Sequence, residues 1–370
     1  MRDPRIDKFA DSIVNYSCRV QPGEKVLIET YDETPDDLVK AVIRSVYAAG
    51  GIVYTKIYKM DIRREMLLGA THEQLEMAGD IDDYIFGKMD VSILISGEEN
   101  LCETNDVPSE RMADFSSVRS RVVRGHRPHL KWVVMYYPTQ AMAQAEGMSM
   151  EEFEDAYFNI CSMDYARMKK AYEPLKALME RTDRVRLTGR GTDLTFSIKG
   201  IPAVPCAGEN NIPDGECYTA PVRDSVNGVI TYNTRTFYDG IPFANIRFVF
   251  RDGKIVEATS SDTARLNEIL DRHEGNRYIG EFAIGVNPYI TKPWVNSMFN
   301  EKMTGSIHFT PGNTIESASN GNRGSIHWDI VLAQTPEYGG GEIWFDGVLV
   351  RKDGRFVLPE LECLNPENLI

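Results

Sequence analysis

Two histidines stand in matching contexts in the C-terminal half of this chain, "GSIHFTPG" around His308 and "GSIHWDIV" around His327. An aspartate, Asp329, follows the second. In an extended strand, residues i and i+2 project to one face. His327 and Asp329 would therefore point together, with Trp328 on the other side. The repeated Gly-Ser-Ile-His predicts two neighbouring strands that deliver imidazoles at similar depth. Neutral imidazole beside a carboxylate makes a mixed N/O donor set suited to Zn, Co, Mn or Fe. The same residues also suit two core histidines bonded to backbone carbonyls, and spacing alone does not separate these readings.

Carboxylates tip the balance. Glu216 in "IPDGECYTAP" and Glu281 in "IGEFAIGVNP" sit among small and apolar neighbours, where a carboxylate is either buried with a partner or a metal ligand. Two Glu, two His and one Asp are the ligand stock of a two-metal hydrolytic centre, which lowers the pKa of a bridging water and clamps both the attacking oxygen and the scissile carbonyl. Glu301, in "NEKMTGSIH", is a further carboxylate near His308, equally readable as a surface charge beside Lys302. No other nucleophile presents itself. There is no G-x-S-x-G elbow, and Cys206 and Cys217 read as small buried apolar residues. His72 in a capping box, His126 and His129 in a basic loop, and His273 in "DRHEGN" read as solvated.

The elements that must position these residues fall into two textures. The first half alternates strand and helix: "EKVLIET" as a buried strand, 34–51 as a helix with Thr34 at the N-cap and Pro35 at N1, "IVYTKIY" as a strand, and a capping box from Thr71 to Gln74. "VSILISG", a helix near 108–121 and "KWVVMYY" continue the pattern, predicting an α/β domain with a mainly parallel sheet. From Ser149 to Arg181 the chain reads as helical, its Phe153, Tyr157, Ile160 and Met163 stripe as core packing. After Asp183, Asp-Gly pairs at 239–240, 252–253, 346–347 and 353–354 lie between alternating apolar runs, a hairpin signal. These predict a β-rich, antiparallel, barrel-like second domain, giving domains 1–183 and 184–370. "GRGTDL" is no dinucleotide fingerprint, since it lies in a hairpin without a third glycine before a helix.

Composition narrows the function classes. With 370 residues, 42% hydrophobic and 26% charged, the chain reads as globular and two-domain. A net charge of −14 argues against nucleic acid or an anionic membrane as partner. The charged N-terminal stretch has no apolar signal-peptide region and no run is long enough for a transmembrane helix, while six scattered cysteines suggest reduced thiols. A cytoplasmic protein is the expectation.

Taken together, these blocks resemble the thermophilic aminopeptidase family of metallopeptidases (M29) over nearly the whole chain. "DKFADSIVNYSCRVQPGEKVLI" resembles the family's opening, "GTDLTFSI" its entry into the second domain, and "IPDGECYTAPVRDSVNG" its first metal block. "GEFAIGVNP", "EKMTGSIHFTPGN" and "GNRGSIHWDIV" resemble the remaining metal blocks in order. The resemblance implies an exopeptidase acting on the N-termini of peptides with two divalent ions (Zn, Co or Mn). By position it implies Glu216, Glu281, His308, His327 and Asp329 as ligands, one Glu bridging, Glu216 and Glu281 also catalytic, and Glu301 a weaker candidate. It also implies a homodimer. Two departures stand out. Ile315 replaces a tyrosine that the family uses to stabilise the developing oxyanion, with Tyr218 a candidate replacement, and the link from His308 to His327 is shorter than in better-known members. A ring-opening dihydroxypyridine dioxygenase resembles the same family, and His308, His327 and Asp329 could hold its single Fe(II). A catalytically impaired peptide-binding relic is the third reading.

Overall fold

The computed structural model describes residues 3–32, 34–238 and 240–370. The chain divides into two compact units, Met1–Ser162 with Gly208–Ile212, and Met163–Ala207 with Pro213–Ile370. The helices Tyr165–Ala171 and Glu173–Arg181, which the sequence reading placed before its boundary at 183, therefore sit with the second unit. No helix among the described residues is long and apolar enough to cross a membrane.

In the first unit, β1 (Lys25–Tyr31), β2 (Ile52–Tyr58), β3 (Val91–Ser96) and β4 (Lys131–Tyr136) are all parallel, in the order β2-β1-β3-β4. The short strand Asn211–Ile212 extends the sheet beside β4. The run of apolar residues in β1 and β3 follows from burial on both faces, as a helix-covered parallel sheet requires. The helix after β1 starts later than its sequence signals predict. The helix runs Asp36–Ala48 with Pro35, not Thr34, at its cap position. Pro35 packs flush against Gly97, where even a Cβ would come within 2.3 Å of its ring. The Thr34 hydroxyl is drawn off to donate to Glu99.

The second unit is antiparallel. Three of its Asp-Gly pairs, 252–253, 346–347 and 353–354, have positive φ at both residues, the twisted turn that suits a right-handed hairpin. Asp239, of the fourth pair, lies outside the described residues. An eight-stranded sheet meets a five-stranded one, whose order is Val331–Ala333, Ser306–Pro311, Ile279–Gly285, Glu216–Thr219 and Val204–Cys206. Strand alternation gives the five-stranded sheet two distinct faces. Phe282 and Phe309 point inward and meet Phe196 of the eight-stranded sheet at ring separations of 5.0 and 5.1 Å. Glu216, Tyr218, Glu281, Ala283, His308 and Thr310 take the opposite face.

Gly285 stands opposite Glu216 in this sheet. A Cβ at Gly285 would lie 2.4 Å from the Met303 carbonyl and 3.1 Å from that of Glu301. Glycine here lets the 301–303 segment lie directly on the strand. Gly285→Ala is expected to lower stability by about 1–3 kcal/mol through overpacking, read as a fall in urea midpoint at unchanged slope; an unchanged midpoint would contradict the close approach.

Candidate metal centre

Each candidate ligand reaches the centre for a local reason. Glu216 opens its strand, so its side chain shares a face with Tyr218. Glu281 follows a register shift between Ile279 and Glu281, with Gly280 pressed against the Asn313 carbonyl. Such bulges re-aim the next side chain. His308 lies mid-strand in Ser306–Pro311, across from Ala283.

His327 is different from its expectation. It lies in an irregular stretch, joined to the sheet by an isolated bridge to Gly312 and a few scattered backbone bonds rather than a regular ladder, and the following strand begins at Val331. Asparagine side chains supplement these backbone bonds. Asn322 donates to the carbonyls of Gly275 and Gly312 at 2.8 and 2.6 Å. Asn276 accepts from the Ser325 amide at 2.8 Å. The expected division of sides survives. Trp328 turns into the interior, its indole N–H donating to Thr236 at 3.0 Å, while His327 Nε2 and Asp329 Oδ1 converge at 3.3 Å.

The five candidate residues come together around one carboxylate. Glu281 Oε1 lies 3.0 Å from His308 Nε2, and Glu281 Oε2 lies 3.2 Å from His327 Nε2. Glu216 Oε2 is 3.3 Å from His308 Nε2. Ligand-type atoms of Glu216, Glu281 and His308 fall within 4.8 Å of one another, as do those of Glu281, His327 and Asp329. Both imidazoles are oriented from behind. His308 Nδ1 donates to the Glu301 carbonyl at 3.3 Å, and His327 Nδ1 to the Asn313 carbonyl at 2.8 Å. These bonds turn each Nε2 toward the centre, the arrangement that fixes a ligating histidine. Thr310 donates to Asp329 Oδ1 at 2.7 Å in the same supporting manner.

The donor set fits divalent cations. Glu216 Oε2 and Glu281 Oε2 are buried and face only the imidazoles of His308 and His327, at 3.3 and 3.2 Å, a costly condition unless a cation takes the charge. Protons register the same demand. Burial drives the His308 imidazole down, but Glu216, Glu281 and Asp329 overcome it and raise its pKa to about 10. His327, also opposed by burial, is carried well above its usual value by Asp329 and Glu281. Burial raises the Asp329 carboxyl, yet His327, His308 and the Thr310 hydroxyl hold it well below the ordinary range.

Two expectations need correction. Glu301 is not a surface charge: its side chain is largely buried and its Oε1 lies 2.7 Å from Lys302 Nζ. Lys302, which sequence reading treated as a surface neighbour, is fully buried. Its Nζ lies 2.5 Å from Glu216 Oε1 and 3.9 Å from Asp214 Oδ1. No local signal in "NEKMTG" marks it, although the apolar run before Glu301 could have suggested burial. Ile315 packs with Tyr218, Ala283 and Ala318, and the Tyr218 hydroxyl lies 2.6 Å from Ser317 Oγ. The remaining histidines stay away from the centre. His72 and His126 are helical residues bonded to Asp114 and Asp83, both at 2.9 Å, and His273 accepts from the Gly275 amide.

A raised imidazole pKa contributes stability that is complete below its unfolded value near 6.5 and is lost as pH climbs through the folded value. Chelator-treated protein is therefore expected to lose thermal stability between pH 6.5 and about 10. Saturating zinc should flatten that loss, because the imidazoles then hold an ion in place of protons. Melting curves across this range, with and without zinc, check it; parallel curves would count against a cation site.

The model of the thermophilic metalloprotease family (M29) matches residues 2–356. Aminopeptidase AmpS of Bacillus subtilis is 22% identical, with 76% of each chain covered. Among solved structures, wild-type AmpT from Thermus thermophilus superposes with a TM-score of 0.81 at 19% identity, covering 96% of this chain and 99% of that one. A 2,5-dihydroxypyridine dioxygenase from Pseudomonas putida superposes at 0.64 and 12% identity, covering 96% and 98%. At these identities the two structures speak for the fold alone. The family match spans nearly the whole chain, and the chain belongs to the thermophilic metalloprotease family (M29), a family of hydrolases.

Proposed function

We propose that this metallopeptidase releases N-terminal residues from peptides by hydrolysis at a centre of two divalent ions. The observation that carries the reading is the sharing of Glu281, one oxygen facing His308 and the other facing His327. Glu216, Glu281 and His308 would hold one ion, and Glu281, His327 and Asp329 the other. Three protein ligands per ion leave room for substrate, as a catalytic site requires, and mixed N/O donors suit zinc, cobalt or manganese. Bound there, two such ions would acidify water and polarise the scissile carbonyl.

The chain's own part is orientation and access. Hydrogen bonds from Nδ1 hold both imidazoles, and Thr310 holds Asp329. The side chains of His327 and Asp329 are 31% and 21% exposed, against 1% for His308, so a peptide arrives from the His327 side. Tyr218 is the hydroxyl we assign to the oxyanion in place of the one missing at Ile315, with Ser317 orienting it. Relatives that carry the name aminopeptidase support the exopeptidase class. An exposed apolar face on the first unit, with Ile57, Ile62, Met66, Met77 and Ile81 around a hollow of about 470 Å³, supports a homodimer.

The dioxygenase reading uses the same fold but only two histidines and one carboxylate. It leaves two buried glutamates at the centre without employment, so the two-ion reading is preferred.

Elemental analysis is expected to return two divalent ions per chain, with hydrolysis of aminoacyl amides. Glu281→Gln should lose both the rate and at least one ion while keeping the fold. One iron per chain with oxygen uptake, or tight metal without turnover, would overturn the reading. Tyr218→Phe should lower kcat by about 10²–10³ at unchanged metal content, and an unchanged kcat would remove Tyr218 from the chemistry.

A further inference from the structure

A third group of ligand-type atoms lies against the first two: Cys206, Asp214 and Glu216 fall within 4.8 Å of one another. It already contains a cation. Lys302 Nζ sits 2.5 Å from Glu216 Oε1, 2.7 Å from Glu301 Oε1 and 3.9 Å from Asp214 Oδ1. We infer that the Lys302 ammonium is the built-in cation of this third pocket and a positioning residue that leaves Glu216 only its Oε2 for an ion.

The argument starts from cost. A fully buried ammonium is strongly unfavourable unless well paired, so a lysine with no task would turn to solvent. This one is fixed at its backbone as well. The Lys302 carbonyl accepts from the Asn287 amide at 2.9 Å, and Asn287 Nδ2 donates to the Asp214 carbonyl at 2.8 Å. One asparagine thereby ties the lysine segment to the loop that carries Asp214 and leads into Glu216. Gly285 permits the approach, as no other residue would.

The consequence for Glu216 is geometric. With Oε1 committed to Lys302, the oxygen left over is Oε2, which is buried and faces His308 Nε2 at 3.3 Å. A carboxylate held at one oxygen offers an ion the other oxygen in a set direction. Glu301, paired with the same ammonium, serves Lys302 rather than an ion, which removes it from the ligand set.

This inference rests on the two-ion reading, and the experiment separates their failures. Zinc titration by calorimetry, with elemental analysis of the dialysed protein, is run on wild type, Lys302→Met and Glu301→Gln. Lys302→Met should keep one ion at wild-type affinity and bind the second 10–100-fold more weakly, the usual effect of losing a ligand's supporting partner. A merely structural lysine would lower the melting temperature without splitting the two affinities. Glu301→Gln should keep both ions at wild-type affinity. Two unchanged affinities in Lys302→Met would overturn the inference, as would loss of an ion in Glu301→Gln, which remains decisive if Lys302→Met fails to fold. If wild type takes only one ion the two-ion reading falls, and the inference falls with it only if Lys302→Met leaves that ion's affinity unchanged.

Discussion

The structure of the second unit depends on how negative charge is tolerated away from water. Asp214, Glu216, Glu281, Glu301 and Asp329 converge on connected pockets, with Lys302 as the ammonium among them. One ammonium cannot answer this many carboxylates, and burial pushes the Glu301 carboxyl well above its usual range. Without ions the two imidazoles must take protons, which is why both are pushed far above their ordinary range. An uncompensated cluster of this kind would be far too costly to bury. The strands bring it together nonetheless because their other face is anchored by Phe282 and Phe309 against Phe196.

Much of this was legible in the sequence, because strand alternation has an exact period. Glu281 and His308 share a face with Glu216 once three antiparallel strands are aligned, and the Asp-Gly pairs announce the hairpins. The parallel first unit was legible for the converse reason, its fully buried strands reading as unbroken apolar runs. What escaped reading depends on contacts between residues distant in sequence. His327 looked like a strand residue, but its stretch is irregular and is tied by Asn276 to Ser325 and by Asn322 to Gly275, contacts that span nearly fifty residues. Thr34 looked like a cap until Gly97 drew Pro35 into that position. The helices at 165–181 carry no mark of which unit they pack with.

Lys302 shows the limit most clearly. Beside Glu301 and near the apolar "SMFN", it reads as half of an ordinary surface pair. Its burial follows from Gly285, Asn287 and Glu216, none of them within ten positions in the chain. Charged residues are buried by their partners, and partners are a property of the fold.

The same fold serves an aminopeptidase and a dioxygenase among solved structures, so the architecture leaves the chemistry to the side chains. Here those side chains form a gradient. At the deep end, the pocket of Asp214 and Glu216 holds a cation that is part of the chain and cannot leave. At the open end, His327 and Asp329 meet solvent. Glu281 lies between, sharing its two oxygens between the two halves. An ion held beside His308 would be shut in by Lys302 on one side and Glu281 on the other, whereas one beside His327 would face solvent. In the proposed two-ion reading the two positions would therefore be unequal in what they can exchange, the one beside His327 being the more open to an arriving peptide.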